Sequence, residues 1–379
     1  MSRIGIREIL LSVGSPKIKI IKLLDLMVGS FIARLVPGRK DQQRDPRFIQ
    51  RILIIRPGGM GDAVFLIPFL RSFKEHYPAL LIDVLCEKRN QEVFRSQEHL
   101  VNKVYRYDSL RSFLGLWRNK FDVIIDTEQW HILSALVAYF LFFKHTIGFA
   151  TRPLRAKLFT ERIGYDPEAY ELKNFQKLFQ GILPKASQIE DIEGCFSIDA
   201  ETLTWAQNTV RPQSVSVFLG ASIAIRRLNQ SQSLELVRFI LQKNFYVILL
   251  GGRDVLRAAA EIEKEISDER VKNFIGKTSL MESAALIKHS KAFVGPDSGL
   301  MHLACAVGTP VVAIFGPGNF KKWGPQGSKH KVVTENVECS PCTRFGYTVP
   351  TCNGTYFCMG DIKIKSITDK ISEFFSASV

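Results

Sequence analysis

The sequence predicts an α/β protein with parallel sheets, folded as two similar halves. Three observations predict it. Continuous apolar runs of four or five residues recur along the chain, as strands buried on both faces require. Segments of helical period stand between them. Glycine-rich loops follow several of the runs, at Gly58-Gly59-Met60-Gly61, Gly251-Gly252 and Gly295 to Gly299. A chain of 379 residues suits two domains.

Residues 1–50 read as a basic amphipathic extension. Ile18 to Val36 is apolar but interrupted by Lys19, Lys22, Asp25 and Arg34, with Ile18, Ile21, Leu24 and Val28 at helical spacing. Such a helix either lies on an anionic membrane surface or packs on its own domain, and amphipathicity alone does not separate the two. Pro37 to Pro46 reads as a polar linker.

The first domain is expected over residues 51–212. It opens on the apolar run Ile52 to Ile55, turns at Pro57 to Asp62, and continues as a helix from Ala63 to His76 that stops before Pro78. Leu81 to Leu85 and Val123 to Asp126 are further strands, the latter followed by a helix from Ile132 to Phe143. Leu172 to Phe179 reads as helical. The second domain is expected over residues 213–379. Its strands are Val215 to Leu219, Tyr246 to Leu250, Phe293-Val294 and Val311 to Phe315. Helices are expected over 234–243, 255–266, 281–289 and from Ser298. Two Rossmann-like halves result, and ligands of such sheets sit at the carboxyl ends of the strands.

Composition narrows the partners. Hydrophobic content of 46% and charged content of 23% are those of a globular protein. The net charge is +14, and residues 1–51 carry 11 Lys or Arg against 4 acidic residues. That balance suits nucleic acid, an anionic membrane or an acidic substrate. No zinc-finger, RNP or helix-turn-helix pattern supports nucleic acid. No apolar run of spanning length and no secretory signal is present, so a cytoplasmic location with reduced cysteines is expected.

Four constellations can carry chemistry. In the first, Gly58, Gly59 and Gly61 let a ligand approach the backbone, and Asp62 is either a general base or the cap of the following helix. The loop has neither the dinucleotide fingerprint nor a Walker lysine, which disfavours an oxidoreductase. In the second, Asp297, Ser298 and Gly299 join a strand to a helix N-terminus, a ready cradle for a phosphate. His302 either meets that phosphate or is a core residue. The third is Arg226-Arg227, which either neutralises a diphosphate or is a solvated loop charge. The fourth is Cys339, Cys342, Cys352 and Cys358, read as a structural zinc or iron site or as incidental thiols.

Two segments together resemble the bacterial ADP-heptose:lipopolysaccharide heptosyltransferases: RILIIRPGGMGDAVFLIPFLR and FVGPDSGLMHLACAVGTPVVAIFGP. The likeness runs from about Arg51 to the C-terminus. It implies the GT-B fold, two Rossmann-like domains with parallel sheets facing a central cleft, acceptor on the first and nucleotide-sugar on the second. It implies Asp62 as general base, and Asp297, Ser298, Gly299 and His302 as the nucleotide-diphosphate loop. Arg226 falls where the family has a phosphate-contacting lysine, although the register against Arg227 is open and Leu228 replaces a common aromatic. Asp254 is the candidate ribose contact after Gly251-Gly252, and the four cysteines are similar to a cluster in many members.

The implied reaction is an inverting transfer of heptose from ADP-heptose to a lipopolysaccharide core acceptor. It needs no catalytic cofactor and takes place on the inner face of the inner membrane, where the protein is expected to be peripheral. The alternatives are a related enzyme with another nucleotide-sugar or a protein acceptor, and a non-catalytic nucleotide-binding module of the membrane surface.

Overall fold

Residues 51–55 form the strand β1 that the apolar run predicts, and Ile52 to Ile55 have no exposed surface. The computed structural model describes residues 5–14, 16–40, 49–141, 143–183, 185–335, 337–344, 347–349, 352 and 357–376. They divide into two compact units. The first runs to Asp191 and takes in Tyr347, and the second comprises the rest from Ile192.

The first unit holds a parallel sheet of six strands. They are β1, β2 (Leu81–Cys86), β3 (Lys103–Arg106), β4 (Phe121–Asp126), β5 (Phe143–Phe149) and β6 (Glu161–Ile163), in the order β3-β2-β1-β4-β5-β6. Ile52 pairs with both Ile82 and Val123, so β1 is central. The second unit repeats the plan with β7 (Ser214–Phe218), β8 (Tyr246–Leu250), β9 (Val271–Asn273), β10 (Ala292–Pro296), β11 (Val311–Phe315) and β12 (Lys331–Thr334). Its order is β12-β11-β10-β7-β8-β9. The expected α/β class with two parallel sheets is what the chain adopts. In each sheet the strand order reverses beside the first strand, between β1 and β4 and between β7 and β10, where doubly wound sheets bind ligands.

Some elements depart from expectation. The helix expected over 63–76 is two, Met60–Val64 and Ile67–His76. Pro68 supplies no N–H and its ring crowds the carbonyl one turn back, so the first helix cannot run on into the second. The helix after β4 ends at Phe140, and β5 starts at Phe143. Residues 192–212, read as the tail of the first domain, lie in the second unit. There helix Ala200–Thr209 packs on helix Leu280–Lys288, and the Trp205 ring meets Phe274 edge-on.

The amino-terminal residues are built into the first unit. Helix Ile6–Leu11 comes first, and helices Pro16–Leu24 and Ser30–Leu35 are joined through a π-helical turn at Asp25–Gly29. Ala33 is fully buried in the core cluster that contains Leu53, Ile124 and Ile132. Asp25 accepts hydrogen bonds at 2.7 Å from the backbone N–H groups of both Ile132 and Leu133. The helix Ile132–Phe140 has no side-chain cap of its own, and Asp25 supplies it from more than 100 residues away. The linker residues 41–48 lie outside the described residues.

Candidate functional site

The loop after β1 carries the first group of expected residues. Gly58 has φ of 107°, and a Cβ there would stand 3.1 Å from Arg56 Nη2, so only glycine suits the turn. Its N–H donates to Glu87 at 3.1 Å. Gly59 takes the N-cap position of helix Met60–Val64, with no side-chain cap, and Gly61 and Asp62 lie within the first turn. Asp62 therefore lies inside this helix and does not cap it.

The Asp62 carboxylate stands 3.5 Å from Arg56 Nη2, partly open on its other side. Burial pushes its pKa up to about 6, against the pull of Arg56 and with added push from Glu171 and Glu128. Arg56, fully buried, also reaches Glu128 at 3.3 Å and donates to the carbonyls of Pro57 and Thr127. Burial also works against the charge of Glu128, but His131, Arg56 and Arg155 outweigh it and hold that carboxyl at about 2. Glu128 accepts the Trp130 N–H at 3.0 Å, which shapes the loop after β4. Beneath this loop Arg155 and Asp126 form an ion pair of 2.9 Å with no exposed surface. Two neighbouring carboxyls thus titrate far apart, one ionised throughout and one near neutrality, the arrangement that separates acid–base roles.

Glu128 and Arg56 were not singled out from the sequence. Arg56 directly follows the first strand and Glu128 lies two residues beyond β4, at the switch point. Only the strand order brings them to Asp62.

The second unit carries the other group. Ser298 caps helix Gly299–Ala306, and its hydroxyl accepts the Met301 N–H at 3.4 Å. Asp297 is buried and meets Arg226 Nη1 at 3.0 Å. Gly318 makes room for it: a Cβ at 318 would lie 2.2 Å from the Asp297 carboxylate. The adjacent arginines divide their work. Arg226 goes to the loop of Asp297, while Arg227 pairs with Asp254 at 2.5 Å and donates to the Ala221 carbonyl at 3.1 Å. Leu228 packs at the margin of the core. Arg227, Leu228 and Asp254 help line a pocket of about 380 Å³.

His302 is buried, and burial pulls its pKa down to about 4. Its ring packs edge-on to Trp323 at 6.4 Å.

Of the four clustered cysteines, Cys358 is buried and the others are half-buried. Burial, and then the neighbouring thiols Cys342, Cys339 and Cys352, push the Cys358 thiol up to about 11. The four thus share one neighbourhood. Among the described residues, however, no group of three or more His, Cys, Asp or Glu is gathered as a metal would require.

A model of glycosyltransferase family 9 (heptosyltransferase) matches residues 110–350. Lipopolysaccharide heptosyltransferase 2 of Escherichia coli K12 is 25% identical over 311 residues, covering 75% of this chain and 87% of that one. The structure of E. coli ADP-heptose lps heptosyltransferase II superposes with a TM-score of 0.67 at 21% identity, over 86% of this chain and 99% of that one. The iron-containing dodecameric glycosyltransferase TibC from enterotoxigenic E. coli H10407 superposes with a TM-score of 0.54 at 13% identity, over 90% and 78%.

Proposed function

From its place in glycosyltransferase family 9 (heptosyltransferase), to which the chain belongs, we propose that this glycosyltransferase moves heptose from ADP-heptose to a lipopolysaccharide core acceptor with inversion. One observation carries the chemistry: the partly open Asp62 carboxyl, at the switch point of the first sheet, with its pKa raised to about 6. A base is most effective when its pKa lies near the working pH. Glu128, held at about 2, is too weak a base for the role. Asp62 takes the proton of the acceptor hydroxyl as that oxygen attacks the anomeric carbon. The bond from that carbon to the diphosphate oxygen breaks, and ADP leaves.

Gly58, Gly59 and Gly61 keep the backbone beside the acceptor free of side chains. In the second unit the leaving diphosphate is met by the helix N-terminus at Ser298-Gly299 and by Arg226, freed from Asp297. Asp254 serves the ribose in exchange for its partner Arg227. His302 supports the loop from beneath. No step needs a cofactor. A structural zinc or iron at Cys339, Cys342, Cys352 and Cys358 belongs to the proposal only as a fastening of residues 339–358. The shared neighbourhood of the thiols and the iron of TibC support it. Metal analysis of purified protein, with Cys339→Ser and Cys342→Ser as controls, tests it, and a metal-free wild type rejects it.

The protein works at an anionic membrane surface on the cytoplasmic side. Among the described residues no helix is long and apolar enough to cross a membrane. The amino-terminal helices instead show solvent an apolar face that includes Leu10, Ile20, Met27, Phe31 and Leu35, each more than half exposed. Lys19 and Arg34 share these helices. An apolar face with basic residues beside it fits an interface of anionic lipid.

Incubation of the full chain with ADP-heptose and core acceptors tests the activity. Release of ADP that depends on an acceptor supports it, and no release with any acceptor rejects it. Parallel binding measurements with UDP and GDP test the related-donor reading.

A further inference from the structure

We propose that residues 110–118 make a second contact with an anionic bilayer and hold the Asp62 loop at its surface. The proposal rests on the reading of the protein as one that works at such a surface. Helix Leu110–Leu114 runs on into the 3-10 turn Gly115–Arg118. One side faces inward: Leu116 has no exposed surface, and Phe113 packs at the margin of the same core cluster. Leu110, Leu114 and Trp117 stand four and then three residues apart, so they share another face. They are 74%, 53% and 39% exposed. Arg111 and Arg118, each one residue further on, flank that face and are exposed. An apolar row with arginines beside it is the composition of an interfacial helix, whose long basic side chains reach up to the lipid headgroups.

Charge selects the partner. Residues 103–120 carry Lys103, Arg106, Arg111, Arg118 and Lys120 against one acidic residue, Asp108. Asp108 is taken by Arg106 at 2.9 Å. Among the described residues no ion pair engages Arg111, Arg118 or Lys120. Exposed cations beside an apolar row are attracted by anionic headgroups.

Place argues for the same partner. Leu116 and Phe113 share their core cluster with Ala33 and with the partly buried Ile32 and Val36 of the amino-terminal segment. The cluster lies on one side of the sheet, the side of Leu53 and Ile55, which stand two residues apart on β1. The apolar face of residues 110–118 and that of the amino-terminal helices therefore belong to the same side of the first unit. The segment also starts beside the catalytic loop. The Tyr107 ring stacks on Phe113 at 6.5 Å. Burial raises the Tyr107 hydroxyl far above its ordinary range, with added push from Asp126, Glu128 and Glu87 and a pull from Arg56. Arg56 and Glu128 are groups that set the charge around Asp62.

The test uses the full chain and vesicles of phosphatidylcholine, alone or mixed with phosphatidylglycerol. Co-sedimentation is read for wild type, for Leu110→Ser with Leu114→Ser, for Arg111→Gln with Arg118→Gln, and for Met27→Ser with Phe31→Ser and Leu35→Ser. A thermal melt confirms that each variant is folded. The leucine substitutions should weaken binding to the mixed vesicles about tenfold, the scale of two side chains partly buried in lipid. The arginine substitutions should weaken it about tenfold on the mixed vesicles and leave binding to phosphatidylcholine alone in place. Brominated lipid should quench the fluorescence of wild type more than that of Trp117→Phe. Binding of the leucine variant equal to wild type, or equal quenching of wild type and Trp117→Phe, would overturn the contact. Release by the amino-terminal substitutions alone would keep the membrane reading and reject this contact. A wild type that binds neither vesicle would reject the membrane reading itself. A wild-type dimer in lipid-free buffer that the leucine substitutions dissociate would assign the face to a second copy and overturn the proposal.

Discussion

At Asp62 the balance of burial and charge decides what the carboxyl can do. Burial raises its pKa to about 6 although Arg56 is only 3.5 Å away. The base must be ionised to act, and a raised pKa keeps it protonated to a higher pH than an ordinary aspartate. The account therefore predicts that kcat/KM falls below about pH 6, approaching tenfold per unit. Glu128 contributes to the raised value, so Glu128→Gln should move this acid limb to lower pH while its side-chain oxygen still accepts the loop N–H groups. A pH–rate profile of the two proteins checks both statements. An acid limb unmoved by Glu128→Gln would mean that the titrating group is not Asp62.

Elements are held by caps that come from unequal distances. Ser298 caps its own helix and stands beside it in sequence, where it is readable. Asp25 caps a helix at Ile132, and no local pattern could reveal that. Asp25→Ala should lower stability by about 2 kcal/mol, because two N–H groups bonded to a charge lose their acceptor inside the protein. Chemical denaturation measures it, and a loss within a few tenths of a kcal/mol would show the cap to be dispensable. The same contrast explains what could be read in advance. Asp297 and Ser298 were legible because strand, loop and helix follow one another directly, whereas the meeting of Arg226 with Asp297 depends on β7 lying beside β10. Asp62 was legible as a residue but not as a non-cap, since Gly59 precedes it and starts the helix earlier. Arg56 and Glu128 were hidden because their meeting depends on strand order. The break at Pro68 lies in proline's missing N–H, beneath a strong helical period.

Across the whole molecule, the described residues of the amino-terminal segment, 5–14 and 16–40, have two sides that answer to the two alternatives in the sequence. One side, with Asp25, Gly29 and Ala33, is buried in the first unit. The other side is apolar and exposed. Removing the segment would strip the Asp25 cap as well as the outward face, so a deletion cannot separate the roles. Substitution of Met27, Phe31 and Leu35 by serine changes only the outward face. It should reduce co-sedimentation with vesicles of phosphatidylglycerol and phosphatidylethanolamine at least tenfold and leave the melting temperature in place. Unchanged co-sedimentation would reject the membrane face.

The central claim is that Asp62 removes the acceptor proton in a glycosyl transfer. Single-turnover transfer from ADP-heptose by wild type and Asp62→Asn, with ADP affinity measured on both, addresses it most directly. The account predicts a rate lower by a factor of about 100 to 10,000, the span general bases supply, with ADP affinity within twofold. An Asp62→Asn protein that transfers at the rate of wild type would contradict it.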